Sequence, residues 1–160
     1  MQFLFLDKSQ KDRVLPALFD LFYENMDPIA PFAHSYEEEK ALWLGEVSPA
    51  LDKAPRQIVL CRDGDRIAGY VQYYVRENLL MVEEVQLEKH YQRTTLFLRL
   101  CRFLAAALPE DLQTVEAFAH KENAPSIRLM ERLGMVICGE QAGFVHLRGR
   151  ADRLQAVFGR

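Results

Sequence analysis

The chain has 160 residues, 49% apolar and 27% charged, with a net charge of −3. That length sets a single domain over residues 1–160 with enough chain for a full core, and the balanced charge points to neither a nucleic-acid nor a membrane partner. The opening MQFLFLDK lacks the basic-then-apolar order of a secretory leader, and the longest apolar run, LFLRLCRFLAAAL, is broken by Arg99 and Arg102 and cannot span a bilayer. Cys61, Cys101 and Cys138 lie far apart without ligand-like spacing, which suits thiols in a reducing cytoplasm and no metal site.

In chain order, QFLFL (2–6) alternates as a short strand. Ser9 and Asp12 open a helical pattern with Val14, Leu15, Leu18, Leu21 and Phe22 on one side; Pro16 argues for a late start or a first-turn position. DPIAPFAHS, with two prolines, is a loop. Ser35 and Glu38 fit a capping box before a second helix carrying Leu42, Trp43 and Val47, and a Pro-containing linker ends near Pro55. Residues 56–62 and 66–75 form a hairpin about Asp63-Gly64-Asp65, and 79–87 adds a third antiparallel strand. A basic turn leads into a helix from about Thr94 to Leu108. Then come a strand (114–120), a helix closed by Gly134, and two last strands. The strand–helix–strand unit from Leu87 to Thr114 requires strands 79–87 and 114–120 to be parallel. The fold class is therefore α/β (α+β): a mixed, mostly antiparallel central sheet with helices on both faces.

Two stretches carry chemistry. VEEVQLEKHYQRTTLF (82–97) is a strand running through a basic turn into a helix, the arrangement that builds phosphate sites. NAPSIRLMERLGM (123–135) opens on Asn123 and closes on Gly134. Together they resemble the GNAT superfamily of N-acetyltransferases, nearest in pattern to the polyamine and aminoglycoside type, over roughly Gln57 to Arg150. The resemblance implies acetyl-CoA as co-substrate, with Val85, Gln86 and Leu87 lining the pantetheine arm. It places the pyrophosphate at Gln92, Arg93, Thr94, Thr95 and Phe97, and further cofactor contacts at Asn123, Ser126 and Met130. It implies splayed parallel strands, an oxyanion held by a backbone N–H near Val85, and a carboxylate base at Glu83 or Glu84 for a small, cationic primary amine.

Three positions depart from the family pattern. Thr95 and Phe97 stand where small loop residues belong, and glycine there gives backbone N–H groups contact with phosphate. Met130 replaces a tyrosine able to protonate the leaving thiolate. Alternation along the strand sets Glu83 and Glu84 on opposite faces, with Glu83 beside Met81, Val85 and Leu87, so one of the pair reaches a cleft. Structural roles stand beside the functional ones: Asn123 as a helix cap, His120 as a strand-end surface residue, and Lys89, His90 and Arg93 as a solvated turn. Two readings stay open: an acyl-CoA-dependent N-acetyltransferase, or a GNAT-fold module that has lost acetyl-CoA binding. If Phe97 points outward it blocks the loop, and if it points inward the site survives. The last strands and the ADRLQAVF tail are candidates for pairing with a second copy.

Overall fold

The alternating segments become one seven-stranded sheet: β1 (Gln2–Phe5), β2 (Arg56–Asp63), β3 (Arg66–Arg76), β4 (Leu79–Leu87), β5 (Thr114–His120), β6 (Val136–Gln141) and β7 (Phe144–Arg150). The computed structural model describes residues 1–53 and 55–158, so position 54 of the linker expected before Pro55 lies outside the described residues. Strand order is β1-β2-β3-β4-β5-β7-β6. All neighbours are antiparallel except β4 and β5, the parallel pair expected from their helical crossover.

Two helices cover one face, α1 (Lys11–Met26) and α2 (Tyr36–Lys53). Their Leu15, Leu18, Val47 and Leu51 bury Ile58, Leu60 and Tyr70. Three helices cover the other: α3 (Leu96–Ala107), α4 (Ala124–Arg132) and α5 (Ala151–Phe158). There Leu96, Leu100, Leu104 and Phe158 pack on Val71, Leu80, Val115 and Leu147, with Ile127 and Met130 of α4 at the margin. The capping box forms as expected, with the Ser35 N–H donating to Glu38 Oε2 at 3.0 Å.

Three local expectations change. Pro16 lies well inside α1, and α2 runs on through Pro49 to Lys53. A proline removes one helical hydrogen bond, but the packing of Val47 and Leu51 on either side of Pro49 holds α2. The tail ADRLQAVF is a helix of this same chain's core: Leu154 and Phe158 are buried, and Arg102 Nε donates to the Phe158 carbonyl at 2.8 Å. It is therefore not a free strand for a second copy, although β6 remains an exposed edge strand.

The third change positions the site. Gln72 of β3 pairs with Glu84 while its neighbour Tyr73 pairs with Val82, so Glu83 is an extra residue in β4. The bulge moves the later part of the strand on by one. Leu80 and Val82 face α3, and past the bulge so do Val85 and Leu87, while Glu84 and Gln86 fall in register with Gln72 and Tyr70 under α1 and α2. At Gly69, opposite Leu87, a Cβ would collide with the Leu87 side chain and the Gln86 carbonyl, so β3 and β4 approach there only with glycine.

Candidate active site at the β4–β5 splay

Pairing between β4 and β5 runs from Leu79 with Thr114 to Val82 with Ala117 and then stops. Both strands continue, β4 to Leu87 and β5 to His120, so they part as a V whose vertex lies at the bulge. The Glu88 N–H donates to the Ala68 carbonyl at 3.0 Å, which fixes Gly69–Leu87 as a pair without mutual hydrogen bonds. Alternation makes Val71–Val85 another. The backbone groups of Val85 and Leu87 therefore turn away from β3 towards the opened V. The Leu87 carbonyl is already taken by Asn25 Nδ2 (2.9 Å) and Gln92 Nε2 (3.0 Å). Gln86 instead points under α1, where Asn25 Nδ2 donates to its Oε1 at 2.9 Å.

The bulge overturns the expected separation of the two carboxyls. Arg56 Nε donates to both oxygens of Glu83 (2.9 and 2.8 Å), and Gln72 Nε2 donates to Oε2 at 3.0 Å. The Tyr70 hydroxyl donates to Glu84 Oε1. Tyr70 and Gln72 lie two apart on β3 and so share a face, and both carboxyls meet that face, away from Val85 and Leu87. Their environments differ. Glu83 keeps a partly open carboxylate clamped by a guanidinium. Burial pushes Glu84 up to about 8, against an opposing hydrogen bond from Trp43 of α2.

At the mouth of the V, a single turn of 3-10 helix (Lys89–Tyr91) leads to α3. The left-handed residue of the connection into α3 is Arg93, φ 66°, while Thr95 sits in ordinary helical space at φ −75°. The positive-φ requirement attached to Thr95 therefore falls at Arg93. Thr94 Oγ1 donates to the Tyr91 carbonyl (2.6 Å) and accepts from the Leu96 N–H (3.1 Å), a local cap. The N–H groups of Thr95, Phe97 and Leu98 have no protein acceptor among the described residues, the usual condition of a first helical turn. Phe97 turns inward, its ring edge-on to Phe158 of α5 with centroids 6.5 Å apart. Its side chain thus leaves the mouth clear.

On α4, Asn123 Oδ1 accepts from the Ser126 N–H at 3.3 Å, a helix cap. The Met130 side chain packs at the edge of the α3-side core. Cys61 and Cys101 are pushed up to about 11 and about 12 by burial and are inert packing thiols. No group of His, Cys, Asp and Glu side chains among the described residues is arranged to hold a metal, and no described helix is long and apolar enough to cross a membrane.

Sequence reading did not find Arg56, Gln72, Tyr70 or Trp43 as partners of the two carboxyls. Gln72 alternates with core Val71 and Tyr73, and Arg56 shares its strand face with core Ile58 and Leu60, a signal usable only once the β2–β3–β4 register is known.

The mixed sheet with one splayed parallel pair and helices on both faces is the fold of the GNAT acetyltransferases. Residues 15–135 match the model of the acetyltransferase (GNAT) family. The chain belongs to that family, whose members use acetyl-CoA as co-substrate. Similar solved structures include the PaiA N-acetyltransferase of Thermoplasma acidophilum in complex with coenzyme A (TM-score 0.71, 10% identity, 94% of this chain and 99% of that one). An aminoglycoside 6'-acetyltransferase of type Ii gives 0.69, 15%, 94% and 97%. A spermidine N-acetyltransferase chimera of Vibrio cholerae SpeG and hSSAT gives 0.63, 13%, 98% and 99%. A search of curated protein sequences finds no match.

Proposed function

We propose that this acetyltransferase is an N-acetyltransferase, moving the acetyl group of acetyl-CoA to the primary amine of a small molecule that arrives as a cation. The observation that carries the reading is the bulge, which sets Glu83 at the end of the β4–β5 pairing, where an extended pantetheine arm would end, with its carboxylate held over β3 by Arg56 and Gln72.

The residues fit that co-substrate. Val85 offers its backbone N–H and carbonyl and Leu87 its N–H along one arm of the V, and the first turn of α3 offers N–H groups beside the Arg93 guanidinium at its mouth. Acetyl-CoA supplies an activated acetyl group as a thioester. The Val85 N–H is placed to donate to an oxygen that gains negative charge. A lysine-like amine has a pKa near ~10.4 and must lose a proton before it attacks. Glu83, oriented by Arg56 and Gln72, accepts that proton directly or through a water. Glu84 is a positioning residue. Its carboxyl, neutral at pH 7, holds Tyr70 and Trp43 against β4 without adding a second negative charge. Met130 cannot donate a proton, and a thiol with pKa near ~8.5 departs as thiolate without one.

Stabilisation by acetyl-CoA tests the reading. At about 100 times its Kd the ligand adds about 2.7 kcal/mol to the native state. Glu83→Gln keeps this shift and lowers kcat by about 10²–10⁴-fold. A melting temperature unmoved by millimolar acetyl-CoA points instead to a GNAT-fold module without cofactor.

A further inference from the structure

The sheet face that carries Glu83 is only half covered. Helices α1 and α2 pack on β2, β3 and β4. Beyond the vertex, on β5 and β7, the same face exposes large rings: Phe118 keeps 46% of its surface and Phe144 42%. β5 is an interior strand, so Phe118 stands in the middle of a sheet and not on an edge. Phe118 and Phe144 therefore leave aromatic surface on this face open to a ligand.

The register ties this surface to the reaction point. Val82 and Ala117 are the last paired residues of β4 and β5, so Glu83 and Phe118 follow as the two lips of the vertex. Met81 pairs with Glu116, and Glu116 with Arg148, which puts Phe118 and its partner His146 on the Glu83 side of the sheet. The Phe118 ring stacks on His146, centroids 4.5 Å apart and 11° from parallel. His146 is in turn fixed by its Nε2 contact to Glu116 Oε2 at 2.8 Å. With β7 on one side of Phe118 and β4 on the other, the ring face not covered by His146 is turned to the β4 side. Its geometry is held before any ligand arrives.

The charges of this face are already matched. Arg56 neutralises Glu83, and Arg148 donates to Glu116 at 2.8 Å. Two guanidiniums, Arg56 and Arg76, also flank the Tyr74 ring at 5.4 and 6.0 Å. A polycation would meet no excess of carboxylate here. A single ammonium on a flat apolar body would find Glu83 at one end and the Phe118 ring beneath the other.

We propose that the open face of Phe118, backed by His146, is the acceptor platform, and that the acceptor is a monoamine carried on an aromatic ring. The proposal rests on the N-acetyltransferase reading above. The test compares phenethylamine with spermidine under saturating acetyl-CoA, in the parent protein and in Phe118→Ala, with melting temperature and oligomeric state measured on both. We expect phenethylamine to have the higher kcat/KM. Phe118→Ala should raise its KM by about tenfold while leaving kcat and the acetyl-CoA KM within about twofold. Preference for spermidine, an unchanged phenethylamine KM in Phe118→Ala, or turnover of neither amine by a protein that acetyl-CoA stabilises overturns the platform alone. Conversion from dimer to monomer in Phe118→Ala with unchanged KM also overturns it, assigning the face to a second copy. Absence of any stabilisation by acetyl-CoA overturns the underlying reading as well.

Discussion

The two halves of one sheet face follow opposite rules. Between β1 and β4 the residues facing α1 and α2 are packed away: Leu60 keeps 3% of its surface and Tyr70 none. Between β5 and β6 the same face carries Phe118, Phe144 and Val136 in the open. Both halves carry aromatic rings, although the bare face also carries Glu116, His146 and Arg148. What separates them is whether a helix lies above, and the boundary falls at the bulge and splay of β4. On the acceptor-platform proposal, the half left bare beside Glu83 is the surface kept for a ligand.

The sharpest way to break this comparison is to truncate one ring or chain in each half. Leu60→Ala removes a buried side chain and leaves a cavity, so it should cost about 2–5 kcal/mol in urea unfolding. Phe118→Ala removes a larger side chain from the bare half and should cost under about 1 kcal/mol, mainly the stack on His146. Equal losses would show that the bare face is buried in solution.

The next effect is electrostatic and belongs to the covered half. Glu84 has its pKa raised to about 8 by burial, from an ordinary value of 4.5. An unfolded carboxyl loses its proton near 4.5, whereas the native one keeps it to about 8, so between these values the unfolded state binds fewer protons. Rising pH therefore favours unfolding across that window: the contribution is full below pH 4.5 and is lost as pH climbs through 8. Glu84→Gln removes the titration. Its stability relative to the parent should improve by roughly 1 kcal/mol per pH unit between pH 5.5 and 7.5. A flat difference would show that Glu84 is solvated.

Much of this architecture is legible in the sequence because it is set locally. Apolar alternation marks the strands, Ser35 with Glu38 and Asn123 mark helix starts, and the stretch from Leu87 to Thr114 demands a parallel pair. What is not legible depends on partners distant in the chain. The bulge at Glu83 appears only when β3 is laid beside β4, and it alone brings two consecutive carboxyls to one face. The direction of Phe97 is decided by Phe158, at the far end of the chain. The continuation of α2 through Pro49 is decided by what Val47 and Leu51 bury. The alternation of Thr114, Glu116 and His120 with Val115, Ala117 and Ala119 marks a face open to water, but where the helices above the sheet stop is set by contacts distant in the chain.

The smallest effect concerns the start of α3, where a surface left for a ligand again meets one built for packing. Sequence logic asks for glycine at Thr95, yet Thr95 has φ −75° and gains nothing from glycine's freedom. Thr95→Gly should lower stability by about 0.5–1 kcal/mol through added freedom of the unfolded chain, and leave acetyl-CoA affinity within about threefold. The strained position is Arg93 at φ 66°. Arg93→Gly relieves the left-handed strain, so stability should hold or rise by a few tenths of a kcal/mol. It also removes an exposed guanidinium beside the free N–H groups of α3, so acetyl-CoA should bind more weakly, with the loss shrinking as salt is raised. Stability and affinity thus move in opposite directions at Arg93, and only stability moves at Thr95. A gain in acetyl-CoA affinity on Thr95→Gly would restore Thr95 as the obstructed phosphate contact.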